Sequence, residues 1–176
     1  MRTPRAVLGV VTTAFALLLG ACGGGPSPQA WAASVCQALG PWRSEISTLT
    51  SRTQQQMTAK TTPAQAKENL VRLLGGAEAA SDKARGQVEE AGVPDVDDGD
   101  EVATGFVQSL TAVRDAYSKA KQGIEGLDAA QADPFYDGVQ TVMTTLTTEY
   151  DRSALDTSSL SSPELKKAFD EVPECR

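Results

Sequence analysis

From residue 29 onward, apolar side chains recur every three or four positions in five separate stretches, and nowhere do they alternate long enough to make a strand. Trp31, Val35, Leu39, Trp42, Ile46 and Leu49 fall on one face of a helix predicted over residues 29–57. Gly40-Pro41 interrupts that face, which predicts a kink or two helical pieces. Thr62-Pro63 supplies a cap and a first helical residue for a second helix, whose apolar stripe is Leu70, Leu73, Leu74, Ala77, Ala80, Ala84 and Val88. Gly75-Gly76 weakens that helix by about 1 kcal/mol per glycine and opens room for a close neighbour. Gly92-Val93-Pro94 ends it.

The third stripe is Val102, Phe106, Leu110, Val113, Tyr117, Ala120 and Ile124, with Asp100 or a neighbour as its cap and Gly126-Leu127-Asp128 as its end. The fourth starts near Asp133-Pro134, with Asp133 as cap, and carries Phe135, Val139, Val142, Met143, Leu146 and Tyr150. Residues 153–162 are rich in Ser and Thr and predict a loop. Ser162-Pro163 then opens a short last helix with Leu165, Phe169 and Val172, stopped by Pro173. The expected fold class is all-α: a four-helix up-down bundle with a short extra C-terminal helix.

The start of the chain has a different pattern. Arg2 and Arg5 precede an uncharged apolar run of 14 residues, Ala6 to Leu19. A membrane-spanning helix needs about 20 residues, so the run fits the apolar region of a secretory signal. It ends in Leu19-Gly20-Ala21-Cys22: an aliphatic residue, two small ones and a cysteine. This segment resembles the lipobox of bacterial lipoprotein precursors. The resemblance covers the first 22 residues and implies that Cys22 receives a diacylglycerol through its sulfur. It further implies cleavage between Ala21 and Cys22, and acylation of the new amine by a fatty acid such as palmitate. Two or three chains on one cysteine make a lasting anchor, where one alone binds marginally. Gly23-Gly24-Gly25-Pro26-Ser27-Pro28 reads as a flexible tether. The expected organisation is therefore a signal peptide over 1–21, a lipidated cysteine and tether over 22–29, and a helical domain over 30–176. The expected location is the extracytoplasmic face of the cell membrane.

Composition narrows the partners. The net charge is −7, and removal of residues 1–21 takes away two arginines and no acid, leaving −9. A chain this acidic repels phosphate backbones, so no nucleic-acid partner is expected. It also repels anionic lipid, so the body is expected to stand away from the membrane. Aromatic residues are only 5%, which favours slim helices packed through small side chains.

With Cys22 lipidated, Cys36 and Cys175 are left as a pair in an oxidising compartment, and a disulfide closing the fold is expected.

The candidate chemistry is sparse. The chain has no histidine, which removes the commonest general base and the commonest metal ligand. No nucleophile elbow, P-loop or dinucleotide fingerprint occurs. Ser118-Lys119-Ala120-Lys121 fits the S-x-x-K pattern of serine acyl-transferring enzymes, but sits inside a predicted helix. Asp95, Asp97, Asp98 and Asp100, with Glu101, are weak oxygen-ligand candidates for calcium. An EF-hand loop, however, would need glycine at its sixth position and glutamate at its twelfth, where this stretch has Asp100 and Phe106. The competing reading is a solvated loop whose charge favours a helix N-terminus. Trp31 and Trp42, three turns apart, are read as core anchors, with a ligand groove as the alternative.

No catalytic residue, cofactor or resident metal is expected, and the chain is not expected to be an enzyme. The expected function is a membrane-anchored lipoprotein whose non-catalytic helical body binds a protein or another envelope component. The alternative is a carrier that holds a lipid or small ligand in a cavity between helices. The wider composition, rich in alanine and threonine, resembles the small helical lipoproteins of actinomycete-type bacteria.

Overall fold

The computed structural model describes residues 24–153, 160 and 162–176. The segment that resembles a lipobox, and with it Ala21 and Cys22, lies outside the described residues, as does most of the Ser/Thr-rich stretch before Ser162. The described chain is all-helical: α1 (Pro28–Gln56), α2 (Pro63–Glu90), α3 (Gly99–Glu125), α4 (Ala132–Arg152) and α5 (Pro163–Glu171), followed by a 3-10 turn at Pro173–Cys175.

Local chemistry sets most of these ends. The Ser27 hydroxyl accepts from the Ala30 amide at 3.3 Å, and Pro28 occupies the first turn of α1. Helical structure therefore starts within the stretch expected to be a tether. At α2, Thr62 and Gln65 form a reciprocal capping box ahead of Pro63. Ser162 caps α5 by accepting from the Leu165 amide.

Three local expectations are corrected. Gly40-Pro41 does not divide α1, which continues through Pro41 as a single helix. Proline removes only one intrahelical donor, and Val35, Ala38, Leu39 and Trp42 are buried on both sides of it. Of Asp100 and its neighbours, Asp98 takes the cap position of α3, in a left-handed conformation (φ 60°) but without the expected side-chain capping bond, and Asp100 lies in the first turn. Asp133 likewise lies inside the first turn of α4, behind the cap residue Gln131. Both displaced acids still stand where the positive end of the helix dipole favours them.

The helices meet through specific pairs. Trp31 and Trp42 of α1 reach Gly92 and Ser81, while Leu49 touches Gly76, so α1 and α2 run in opposite directions. A methyl group on Gly76 would sit 2.9 Å from both Leu49 methyls, which is the close approach expected of that glycine pair. Between α2 and α3, Lys121 pairs with Glu78 at 2.7 Å and Arg114 with Asp82 at 3.3 Å. Between α3 and α4, Lys119 pairs with Glu149, Gly123 faces Val142, and Leu127 faces Gly138. α1 packs on α2 and α5, and α4 packs chiefly on α3; α1 and α4 are not neighbours.

Burial matches this order. α3 lies between α2 and α4 and buries nine residues, including Phe106, Leu110, Val113 and Ile124. α4 buries only Phe135 and Leu146; Val139, Val142 and Met143 are half-buried and Tyr150 is exposed. It packs mainly on α3, with only slight contact to α2.

The disulfide joins Cys36 of α1 to Cys175, across 139 residues of sequence. Beside it, Ala32, Ala168 and Val172 form a small apolar cluster that seats α5 on α1. Closing so long a loop removes about 5 kcal/mol of unfolded-state entropy in the chain-entropy treatment. Cys36→Ser should lower the melting temperature by about 6–20 °C, taking 3–5 kcal/mol of lost stability at 2–4 °C per kcal/mol for a domain of this size. Calorimetry of the variant beside the parent checks this; an unchanged midpoint would mean that the bond contributes nothing.

Candidate functional site

The residues singled out from the sequence fall into three places. The first is the end of the molecule where α1 begins. Trp31 is completely buried there, and its indole Nε1–H donates to the Gly92 carbonyl at 2.9 Å. Gly92 comes after α2 with φ +73°, a conformation that costs glycine nothing and strains other residues. The Trp31 ring stands edge-on to Phe106 of α3 and to Phe169 of α5, at 5.3 and 6.0 Å between centroids, and those two rings stack at 6.0 Å. One tryptophan thus touches α3, α5 and the exit of α2.

The N-terminal segment is docked at this same end. The Asp95 amide donates to the Pro26 carbonyl at 2.9 Å. A methyl group on Gly25 would come within 1.9 Å of the Val93 carbonyl oxygen, so only glycine passes there. Gly24 lies against the Asp95 carboxylate: a methyl group on it would sit 3.2 Å from Oδ2. The part of the expected tether that is described is therefore laid against the α2–α3 connector.

That connector carries the acidic residues. Asp95, Asp97, Asp98, Asp100 and Glu101 lie along it and the first turn of α3. Among the described residues, no group of three or more acidic or cysteine side chains converges on a point where it could hold a metal ion. The calcium candidates fall on the connector and the first turn of α3 but not around one centre. Their neighbour Val93 is 39% exposed, one of few large apolar side chains so open to solvent among the described residues.

The second place is around Trp42. Its Nε1–H donates to the Ser81 hydroxyl at 3.0 Å, and Ser81 donates to the Ala77 carbonyl at 2.8 Å. Both tryptophans are core anchors whose polar edge is satisfied, as a buried indole requires. Over Trp42, α1 and α2 leave a surface groove of about 420 Å³ lined by Pro41, Ala79, Ala80, Lys83 and Gln87 among others. The serine that completes this arrangement had no sequence signal beyond its position on the apolar face of α2.

The third place is the S-x-x-K pair on α3. Lys121 does not face Ser118 as a free amine. Its Nζ donates to Glu78 Oε2 at 2.7 Å, and this carboxylate holds the lysine pKa above its ordinary value. A general base needs the opposite shift. The same bond, and after it one from Ser118, holds Glu78 below the usual carboxylate range. Asp82 is also lowered, first by Arg85 and then by Arg114. These residues read as an ion-pair seam tying α2 to α3. Tyr117 is pushed up to about 12, by burial first and by Tyr150 second.

No protein-family model, curated protein or solved structure matches this chain. Among the described residues, no helix is long and apolar enough to cross a membrane.

The ion-pair seam fixes the pH response. Carboxyls lowered in the folded state stabilise it above their unfolded values, 4.5 for Glu78 and 3.8 for Asp82, and that stability is lost as the pH falls through the folded values. With no histidine in the chain, no side chain of ordinary pKa titrates between pH 6 and 8. The melting temperature should be flat from pH 6 to 8 and fall below about pH 4.5. A midpoint that moves by several degrees between pH 6 and 8 would contradict this.

Proposed function

We propose that the chain is the precursor of a lipid-anchored, extracytoplasmic lipoprotein, with acyl chains on Cys22 and a non-catalytic helical body that binds a protein or another component of the cell envelope. The observation that carries the reading is the pairing of Cys36 with Cys175. The chain has three cysteines, and this bond leaves the lipobox cysteine as the odd one. A disulfide across the fold suits an exported protein, because reducing compartments do not maintain such bonds. The signal-like apolar run before Cys22 supports the same compartment.

In the architecture we propose, the four long helices alternate up and down side by side, and α5 is returned to α1 by the disulfide. Small residues at the crossings, Gly76 against Leu49 and Gly123 against Val142, support close packing over a wide internal chamber. The Trp42 groove is a surface feature of two helices. That favours contact with a partner over enclosure of a lipid, which needs a cavity that buries most of its ligand.

Mass spectrometry and fractionation test the anchor together. The native protein should begin at Cys22 and carry at least a diacylglycerol there. Cys22→Ser should leave the precursor uncut or shift the protein out of the membrane fraction. Unchanged processing and membrane retention in that variant would overturn the proposal.

A further inference from the structure

The docking of Gly24–Pro26 fixes which end of the body lies nearest the anchor, and how near. On the proposed lipidation of Cys22, on which this inference rests, two residue steps separate the acylated Cα from Gly24. Two steps of extended chain span at most about 7 Å. Gly24 is already against the Asp95 carboxylate, and Pro26 accepts from the Asp95 amide. The connector therefore cannot leave the bilayer surface by more than this short link and the lipidated side chain allow.

We propose that the Val93–Asp97 stretch of the α2–α3 connector, together with Gly24–Pro26, is the membrane-facing surface of the protein, held at the lipid headgroups. The far end, at the turn between α1 and α2 that contains Ala59, points away from the bilayer. α1 has 29 residues, about 43 Å at 1.5 Å per residue, so the two ends are well separated. Val93 is the exposed apolar side chain of the near end and meets the headgroup region. Asp95 and Asp97, both exposed, follow it in the connector. In an anionic membrane they are repelled within a Debye length of about 8 Å, yet the short link prevents the body from retreating. This revises the expectation that an acidic body stands clear of its membrane: the charge opposes contact, but the covalent reach decides.

The test uses the full-length, lipidated protein in native membranes, with the photoreactive residue p-benzoylphenylalanine at one position at a time. The near-end probes are at Val93 and, as a second position, Asp97. The far-end probe is at Ala59, which is exposed in the α1–α2 turn. After irradiation, phospholipid adducts are counted by mass spectrometry. Adduct yield at either near-end position should exceed that at Ala59 by at least about fivefold, since the far end lies ~40 Å out. Inserting ten Gly/Ser residues between Gly23 and Gly24 should bring the near-end yield down to the Ala59 level. Equal yields at both ends, or a near-end yield indifferent to the insertion, on protein whose Cys22 is shown to be acylated, would overturn the orientation and leave the anchor standing. A Cys22 without lipid would remove the anchor, and the orientation with it.

Discussion

The described fold depends on one buried indole. Trp31 sits at the start of α1, where the docked N-terminal segment, the exit of α2, the entry of α3 and the returning α5 all meet. Its nitrogen is satisfied by a carbonyl that Gly92 presents from a left-handed turn, and Phe106 and Phe169 pack against its ring. Elsewhere successive helices touch in pairs. At this end the beginning and the last helix of the chain are brought to one place, little more than one helical turn from the disulfide at Cys36. Aromatic residues are scarce here, and three of the four phenylalanine and tryptophan rings that the core cluster buries or packs are spent on this junction.

The bond between Cys36 and Cys175 and the aromatic junction act on the same element. α5 has only nine residues, too few to hold a helix by local bonding alone. Leu165 and Ala168 are buried, Phe169 joins the aromatic group, and the disulfide ties the 3-10 turn beyond the helix back to α1. α4 lacks comparable anchoring: it rests on α3 through Val142 against Gly123 and the Lys119–Glu149 pair, and buries only Phe135 and Leu146, with much of its surface in water. Its five threonines, at 141, 144, 145, 147 and 148, are exposed, and four of them return their hydroxyls to helix carbonyls, so they add little to packing.

Much of this is legible in the sequence. The helical periodicity, the Thr62 and Ser162 caps and the cysteine pair each have a local cause that a single sequence displays. Pro41 misleads because its breaker signal is local, whereas the burial of Val35, Leu39 and Trp42 around it is not. Asp100 and Asp133 each stand two residues beyond the cap position, since acids serve both as caps and in the first turn. The docking of Gly24–Pro26 on the connector has no sequence signal: a glycine run reads as flexible unless the passing carbonyl of Val93 is known. The Trp42–Ser81 bond is hidden for the same reason, as its partners are 39 residues apart. The candidate chemistry is legible chiefly as pattern. Spacing brings Ser118 near Lys121, but only the position of Glu78 on a different helix shows how that lysine is used.

Amide and indole hydrogen exchange tests the junction most directly, comparing the parent with Phe169→Ala. If Trp31 ties this end together, its indole proton and the Asp95 amide exchange slowly in the parent. Both should accelerate by at least about tenfold in the variant, corresponding to about 1.4 kcal/mol of local stability, while amides near Leu49 and Gly76 change less. Equal acceleration throughout the chain, or none at Asp95, would contradict the account.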